Sequence, residues 1–268
     1  MNTKLTILSL GAGVQSTTLA LMARHGEIKK PDYAIFADTG WEPKHVYEHL
    51  EWLMLELDYP VHIVSHGNIK KDLLNRVNST GQRFASIPFF IENPDGSGGI
   101  GRRQCTNEYK LQPLRKATSR LLTEVHGEKK KPGSVEMMIG ITMDEIVRMK
   151  PSRVKYIQHI WPLVDLKMSR NDCKKWMLQN GYPEPPKSAC LGCPYHDNRL
   201  WRKIRDESPE EWNELIEIDK QIRKPSKFKG RQYMHRSLKP LDEVDLRNDQ
   251  EKGQSDLFGA ECEGMCGL

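Results

Sequence analysis

Short apolar runs alternate with longer amphipathic stretches through the first two thirds of the chain. Leu5–Leu8, Tyr33–Phe36, Val61–Val64 and 135–141 are short and mostly apolar, as buried strands are. Thr17–Arg24, Pro43–Leu57 and Lys70–Val77 carry the spacing of helices with one apolar face. Strands alternating with helices predict right-handed βαβ units and a mostly parallel, doubly wound α/β sheet, Rossmann-like in layout. Pro43 suits the first turn of the second helix. Further on, 168–180 reads as a helix ended by Gly181. Residues 208–223 read as another, with Ser208 as cap, Pro209 at its first position and acids in its first turn.

Three loops fall at carboxyl ends of predicted strands, where such sheets bind ligands. They are Ser9–Ser16, Asp38-Thr39-Gly40 and Gly140-Ile141-Thr142. Asn93–Gly101, which reads Asn-Pro-Asp-Gly-Ser-Gly-Gly-Ile-Gly, predicts a flexible loop or lid with no regular structure. Lys129-Lys130-Lys131-Pro-Gly predicts an exposed loop. From Lys224 onward the sequence turns basic and then polar, with little to form a core. The expected division is a nucleotide-binding domain over 1–200 and a helical segment with a C-terminal arm over 201–268. No internal repeat is visible.

The first loop has the most specific chemistry. Ser-Leu-Gly-Ala-Gly-Val-Gln-Ser-Thr runs from the end of a strand into the start of a helix. Gly11 and Gly13 let backbone approach an anion without a Cβ in the way. The helix start offers unpaired N–H groups and the positive end of its dipole. Ser9, Ser16 and Thr17 add hydroxyl donors, and Gln15 lies between them. The Gly-Lys-Ser/Thr ending of a Walker A loop is missing. A tight strand–helix turn with no ligand is the alternative.

Composition narrows the setting. A chain of 268 residues suits one large α/β domain with an appendage. No apolar run reaches membrane-spanning length and the N-terminus lacks a signal-peptide core, so a cytoplasmic protein with no membrane partner is expected. The formal net charge of +5 fits an anionic small ligand or a nucleic acid equally well.

Six cysteines sit at 105, 173, 190, 193, 262 and 266. Cys190 and Cys193 form a C-x-x-C that proline follows, an arrangement common around iron–sulfur sites. With Cys105 they supply three thiolates of a four-ligand site. Zinc is the alternative metal, and a redox pair without metal is a third reading. Cys173 lies in an amphipathic stretch beside Trp176 and Met177 and reads as a small core residue. Cys262 and Cys266 close the chain. They read as a fourth metal ligand, as mobile nucleophilic or resolving thiols, or as a tail anchored by burial. Arg102, Arg103, Lys110 and Arg115 flank Cys105 and suit phosphate or sulfate, with a solvated basic face as the alternative. Asp144, Glu145 and Arg148 follow the Gly140 loop on a helix start, where Glu145 suits Mg²⁺ or ribose and Arg148 an anion.

Taken together, these segments resemble the phosphoadenylylsulfate (PAPS) reductase family of the adenine nucleotide α-hydrolase, or ATP pyrophosphatase, superfamily. The likeness runs over most of residues 4–200. Ser9–Thr17 is similar to the superfamily pyrophosphate loop Ser-Gly-Gly-x-x-Ser-Thr, with Ala12 in place of a glycine. Phe36-Ala-Asp-Thr-Gly-Trp-Glu-Pro looks like the Asp-Thr-Gly segment after the second strand. Gly140-Ile-Thr-Met-Asp-Glu-Ile-Val-Arg looks like the Gly-x-Arg-x-x-Glu-x-x-x-Arg segment, with Thr142 where arginine is frequent. Trp161-Pro-Leu-Val-Asp-Leu, a helix and Gly181-Tyr-Pro resemble the family's end. The stretch Tyr233-Met-His-Arg-Ser-Leu-Lys-Pro-Leu-Asp looks like tails on phage-encoded members.

The resemblance implies an enzyme that holds an adenine nucleotide (ATP, adenylylsulfate or PAPS) on Ser9, Gly11, Gly13, Gln15, Ser16, Thr17, Asp38, Thr39, Gly40, Gly140 and Ile141. It implies phosphate or sulfate contacts from Arg102, Arg103, Lys110 and Arg148, and a [4Fe–4S] cluster on Cys105, Cys190 and Cys193. Reductases of the family end in a Glu-Cys-Gly-Leu-His tail whose cysteine attacks the sulfonucleotide. The Met-Cys266-Gly-Leu ending is a partial likeness, which makes Cys266, with Cys262, the candidate nucleophile. Two reactions follow from the resemblance. One is reduction of adenylylsulfate or PAPS to sulfite, with a thiol or thioredoxin-like reductant. The other is Mg²⁺-assisted cleavage of ATP to adenylylate a tRNA or DNA acceptor for sulfur transfer. A non-catalytic nucleotide-binding protein is the rival from another class, and self-association is left open.

Overall fold

A computed structural model describes residues 5–77, 81, 86–224, 230–247 and 251. In chain order the elements are β1 (Leu5–Leu10), α1 (Val14–Arg24), β2 (Tyr33–Asp38), α2 (Lys44–Glu56), β3 (Val61–Ser65), α3 (Ile69–Asn75), β4 (Phe90–Glu92), β5 (Gly98–Ile100), α4 (Gln112–Arg120), β6 (Val135–Ile139), β7 (Ile157–Ile160), α5 (Pro162–Asp165), α6 (Arg170–Gln179), α7 (Asn198–Glu207), α8 (Pro209–Ile222) and β8 (Arg231–Tyr233). Wide π turns flank α4 at Thr106–Leu111 and Leu121–Val125, and a 3₁₀ turn covers Met143–Arg148.

The described residues divide into two compact units. The first holds 5–66 and 109–188, and the second holds 67–77, 81, 86–108, 189–224, 230–247 and 251. Each unit thus draws on separate stretches of chain.

The first unit is the expected α/β sheet. Its five strands lie in the order β3-β2-β1-β6-β7, all parallel. The chain builds outward from β1 to β3 and then restarts on the other side of β1. The order reverses between β1 and β6, which makes a topological switch point between their carboxyl ends. Alternation along β1 shows why both faces are covered. Leu8 and Leu10 join a cluster with Leu19, Leu50, Leu53 and Met177 from α1, α2 and α6. Leu5 and Ile7 point the other way, toward Leu114, Leu121 and Leu122 around α4. A strand buried on both faces is expected to be mostly apolar, and four of the six residues of β1 are Leu or Ile. Cys173 is fully buried in the first cluster, as a core residue.

In the second unit, α7 and α8 pack through Trp201, Ile204, Trp212, Leu215 and Ile218, all buried. A small antiparallel sheet runs in the order β5-β4-β8. It corrects two expectations. Asn93–Gly101 is not irregular: Gly98–Ile100 pairs with Phe90–Glu92 as the second strand of a hairpin. Its turn closes through Asn93, whose amide donates to the Ser97 carbonyl, with Gly96 at φ 79°. Glycines hid the strand because an edge strand needs ladder bonds and not side chains. The basic arm also supplies structure, since Arg231–Tyr233 pairs with β4 and Tyr233, Met234, Leu241 and Leu246 are buried. Asp219 on α8 fixes this segment. Its buried carboxylate accepts from the amides of Met234 and Leu241, both at 3.1 Å, and pairs with Arg223.

Candidate functional site

The switch point lies in the first unit, where the turn after β1 meets the turn after β6. Gly13 opens α1 in an extended conformation, and the first amides of the helix have no partner within it. Ser16 Oγ accepts from the amides of Gly11 at 3.1 Å and Gly13 at 3.3 Å. Two backbone N–H groups thus converge on one oxygen, which marks the position an anion oxygen would take. Ala12 between them has φ 55° and is fully buried. That left-handed conformation favours glycine, so the geometry explains why a glycine suits this place and what strain alanine bears.

The turn after β6 closes tightly on the first. A Cβ on Gly140 would lie 2.9 Å from the Ser16 amide nitrogen and 3.1 Å from Ser16 Cα. Only glycine allows that approach. Ile141 and Thr142 are buried behind it, and Thr142 Oγ1 has no hydrogen-bond partner among the described residues. Gln15 Nε2 donates to Glu145 Oε2 at 3.2 Å, and Arg148 pairs with Glu145 Oε1 at 2.6 Å. Gln15, Glu145 and Arg148 therefore form one polar chain joining the two turns.

The third loop leaves the end of β2. Asp38 Oδ1 accepts from the Gly40 amide at 2.8 Å and the Tyr47 hydroxyl at 2.9 Å. Burial, with the Asp38 hydrogen bond adding to it, pushes Tyr47 above the ordinary phenol range. Thr39 Oγ1 donates to Glu42 Oε1 at 3.1 Å, and Lys110 Nζ stands 3.5 Å from the same oxygen. Lys110 thus sits by this loop with a buried carboxylate beside it.

Of the other expected site residues, Ser9 is the penultimate residue of β1, opposite Ile35 and Ile139. Thr17 is fully buried and its hydroxyl bonds His49 Nε2 at 3.0 Å, so it supports the turn from beneath. Burial, reinforced by the charge of His45, lowers His49 to about 4 and keeps it neutral at pH 7. His49 and Tyr47 were not singled out in the sequence. Both lie in α2, where they read only as parts of an amphipathic helix.

Arg102, Arg103, Cys105, Cys190 and Cys193 belong to the second unit. The Arg103 guanidinium lies over the Tyr195 ring, 5.6 Å from its centroid, so the stretch before Cys105 meets the stretch after Cys193. The Cys193 amide donates to the Cys190 carbonyl and the His196 amide to the Cys193 carbonyl, which winds the C-x-x-C into successive turns. All three cysteines are half-buried. Among the described residues, no group of three or more His, Cys, Asp or Glu side chains is placed to hold a metal ion. Cys105, Cys190 and Cys193 all lie in this second unit. Cys262 and Cys266 lie outside the described residues.

No family model matches this sequence, and no curated protein matches it. Among solved structures the chain is similar to the PAPS reductase from Candida auris, determined as a phosphate complex. The identity is 14% over 68% of this chain and 76% of that one, with a TM-score of 0.45. A likeness at that level speaks neither for ligand nor for activity. The parallel sheet and its switch point stand on the strand order itself. Among the described residues no helix is long and apolar enough to cross a membrane.

Proposed function

We propose that this chain binds an adenine nucleotide at the switch point, with phosphates on the turn between β1 and α1, and acts on it as a sulfur-transforming enzyme. The observation that carries the nucleotide reading is the convergence of the Gly11 and Gly13 amides on Ser16 Oγ at a helix start. An arriving phosphate oxygen would replace the hydroxyl as acceptor, and Ser16 would turn to donate as well. The close seat of Gly140 holds both turns in register. Asp38 at the end of β2 and Glu145, bonded to Gln15, suit ribose hydroxyls or, with ATP, Mg²⁺.

The reaction we favour is reduction of adenylylsulfate or PAPS. A thiolate, assigned to Cys266 or Cys262, attacks the sulfonucleotide sulfur. The sulfur–oxygen bond to the 5′-phosphate breaks, and the nucleotide leaves as AMP or its 3′-phosphate form. A second thiol then attacks the S-sulfocysteine sulfur. It forms a disulfide and releases sulfite, with both electrons coming from the thiols. A dithiol or thioredoxin-like reductant restores the pair. The basis for this step is the resemblance of the tail sequence.

The test is anaerobic incubation of the full chain with dithiothreitol and either PAPS, adenylylsulfate or ATP, reading sulfite and pyrophosphate together. Sulfite without pyrophosphate is the expected result, and Cys266→Ser should abolish it. Pyrophosphate from ATP without sulfite would replace the reductase reading with adenylylation of an acceptor. Neither product, together with no nucleotide binding by calorimetry, would overturn the site assignment itself.

A further inference from the structure

The first unit carries an unbalanced belt of positive charge along its outer edge. Strand β7 is the last strand of the sheet, so one side of it faces away from the other strands. Arg153 and Lys155 lead into it, both exposed, while the alternating Val154 and Tyr156 pack against the core cluster behind. This alternation turns the cations outward and holds the backbone in place.

Four contacts gather further cations around the same strand. Lys130 Nζ lies over the Tyr156 ring, 5.6 Å from its centroid. The Gly133 amide donates to the Lys155 carbonyl at 3.0 Å, which fixes the Lys129–Lys131 loop beside the start of β7. The Tyr156 hydroxyl reaches the Arg115 carbonyl on α4 at 3.5 Å. At the other end, His159 Nδ1 bonds the Lys150 carbonyl at 2.9 Å, with Trp161 edge-on to its ring. The belt is therefore Arg115, Lys116, Lys129, Lys130, Lys131, Lys150, Arg153 and Lys155, and all but Arg115 are exposed.

The usual fate of surface lysines is an ion pair with a neighbouring carboxylate. Nearby cations follow that rule: Arg120 pairs with Glu124, Arg148 with Glu145 and Lys29 with Glu136. Among the described residues, none of the eight belt cations is within 4.0 Å of a carboxylate oxygen. The whole chain has a formal net charge of +5, so removing these eight would leave −3. These eight cations outnumber the chain's formal net charge of +5. Such a belt attracts a polyanion by counterion release, and interleaved aromatic rings suit bases better than carboxylates.

We propose that this belt is a docking surface for the phosphate backbone of a nucleic acid strand. Strand β7 has four residues and so is about 13 Å long. At about 3.4 Å per phosphate along one strand, it spans about four phosphates. A strand lying along it would end at the carboxyl edge of the sheet, near Trp161 and the Met143–Arg148 turn. The belt would thus guide a polynucleotide toward the switch point. It does so whether or not a mononucleotide binds there, and its test contains no mononucleotide.

The experiment is fluorescence anisotropy of the full chain with labelled 20-nucleotide single-stranded DNA, the same sequence as RNA, and a DNA duplex, between 50 and 200 mM KCl, conditions chosen to resolve counterion release. Expected are micromolar affinity at the low-salt end and a log–log salt slope of about −3 for single strands. Preference for RNA or for DNA identifies the source of the strand. Lys130→Glu with Lys131→Glu and Lys155→Glu should weaken binding by about tenfold or more. Lys174→Glu with Lys203→Glu and Lys220→Glu makes the same change in net charge elsewhere and should leave binding within about twofold. Should the first triple variant unfold by circular dichroism, the Lys→Gln triple at the same positions serves instead. No binding at low salt, equal losses in the two triple variants, or equally tight binding of polyglutamate would each overturn the proposal.

Discussion

Gly140 and Ser16 are 124 residues apart in sequence, and their backbones all but touch: a Cβ on Gly140 would fall 2.9 Å from the Ser16 amide nitrogen. The obstacle is backbone at the start of α1 and not a side-chain tip that can swing away. Gly140→Ala should therefore push the two turns apart. Overpacking of this kind costs about 1–3 kcal/mol. The expected outcome is a Tm lower by several degrees and loss of nucleotide binding, checked by thermal melts and calorimetry. Unchanged binding would show that the two turns do not share a ligand.

Ser16 tests the same arrangement from the anion's side. Its hydroxyl is the acceptor on which the Gly11 and Gly13 amides meet. Ser16→Ala removes that acceptor and also a donor to any bound phosphate. Stability should fall by about 1 kcal/mol. Affinity for a nucleotide should fall further, by about 10- to 100-fold, as expected for a hydrogen bond to a charged group. Calorimetry with ATP and with PAPS measures it. Equal affinity in the variant would remove phosphate from this turn.

The parallel sheet was legible because β1, β2 and β6 are largely buried and mostly apolar, and because β3, though an edge strand, keeps Val61, Ile63 and Val64. Strand β7 was not, since Ile-Gln-His-Ile at a sheet edge mixes polar and apolar residues. The glycines of β5 read as loop because the strand is held by its ladder with β4 and not by side chains. In the candidate site, glycines and hydroxyls of the turns stood out by spacing. Partners such as His49, Tyr47 and Glu42 did not, because a helix surface and a short loop are not periodic signals of chemistry. Cys105 and the C-x-x-C, 85 positions apart in sequence, fall in the same unit.

The four described cysteines should separate cleanly by reactivity. Burial pushes the Cys173 thiol up to about 12, so hardly any thiolate exists at pH 8. Cys105, Cys190 and Cys193 are half-buried. Iodoacetamide applied to native, chelator-treated protein, followed by peptide mass spectrometry, should label these three and leave Cys173 unmodified until denaturant is added. Protection of the same three before chelator treatment, and loss of that protection afterwards, would show that they hold a metal. Rapid native labelling of Cys173 would show that the core around α6 opens.

Acid should loosen the support beneath the phosphate turn. His49 is buried against Thr17, and desolvation, with the charge of His45 adding to it, lowers it to about 4. In the unfolded chain it titrates near the ordinary value of 6.5. Between those values the unfolded state binds a proton that the folded state refuses. Stability from this group is therefore full above about pH 6.5 and declines as pH falls toward 4. Between pH 7 and 5 the decline is about 1–2 kcal/mol. Urea unfolding across this range should show it, and His49→Gln, which keeps a polar partner for Thr17 without a titrating ring, should flatten that part of the curve. A variant with the same pH dependence as the parent would place the acid sensitivity elsewhere.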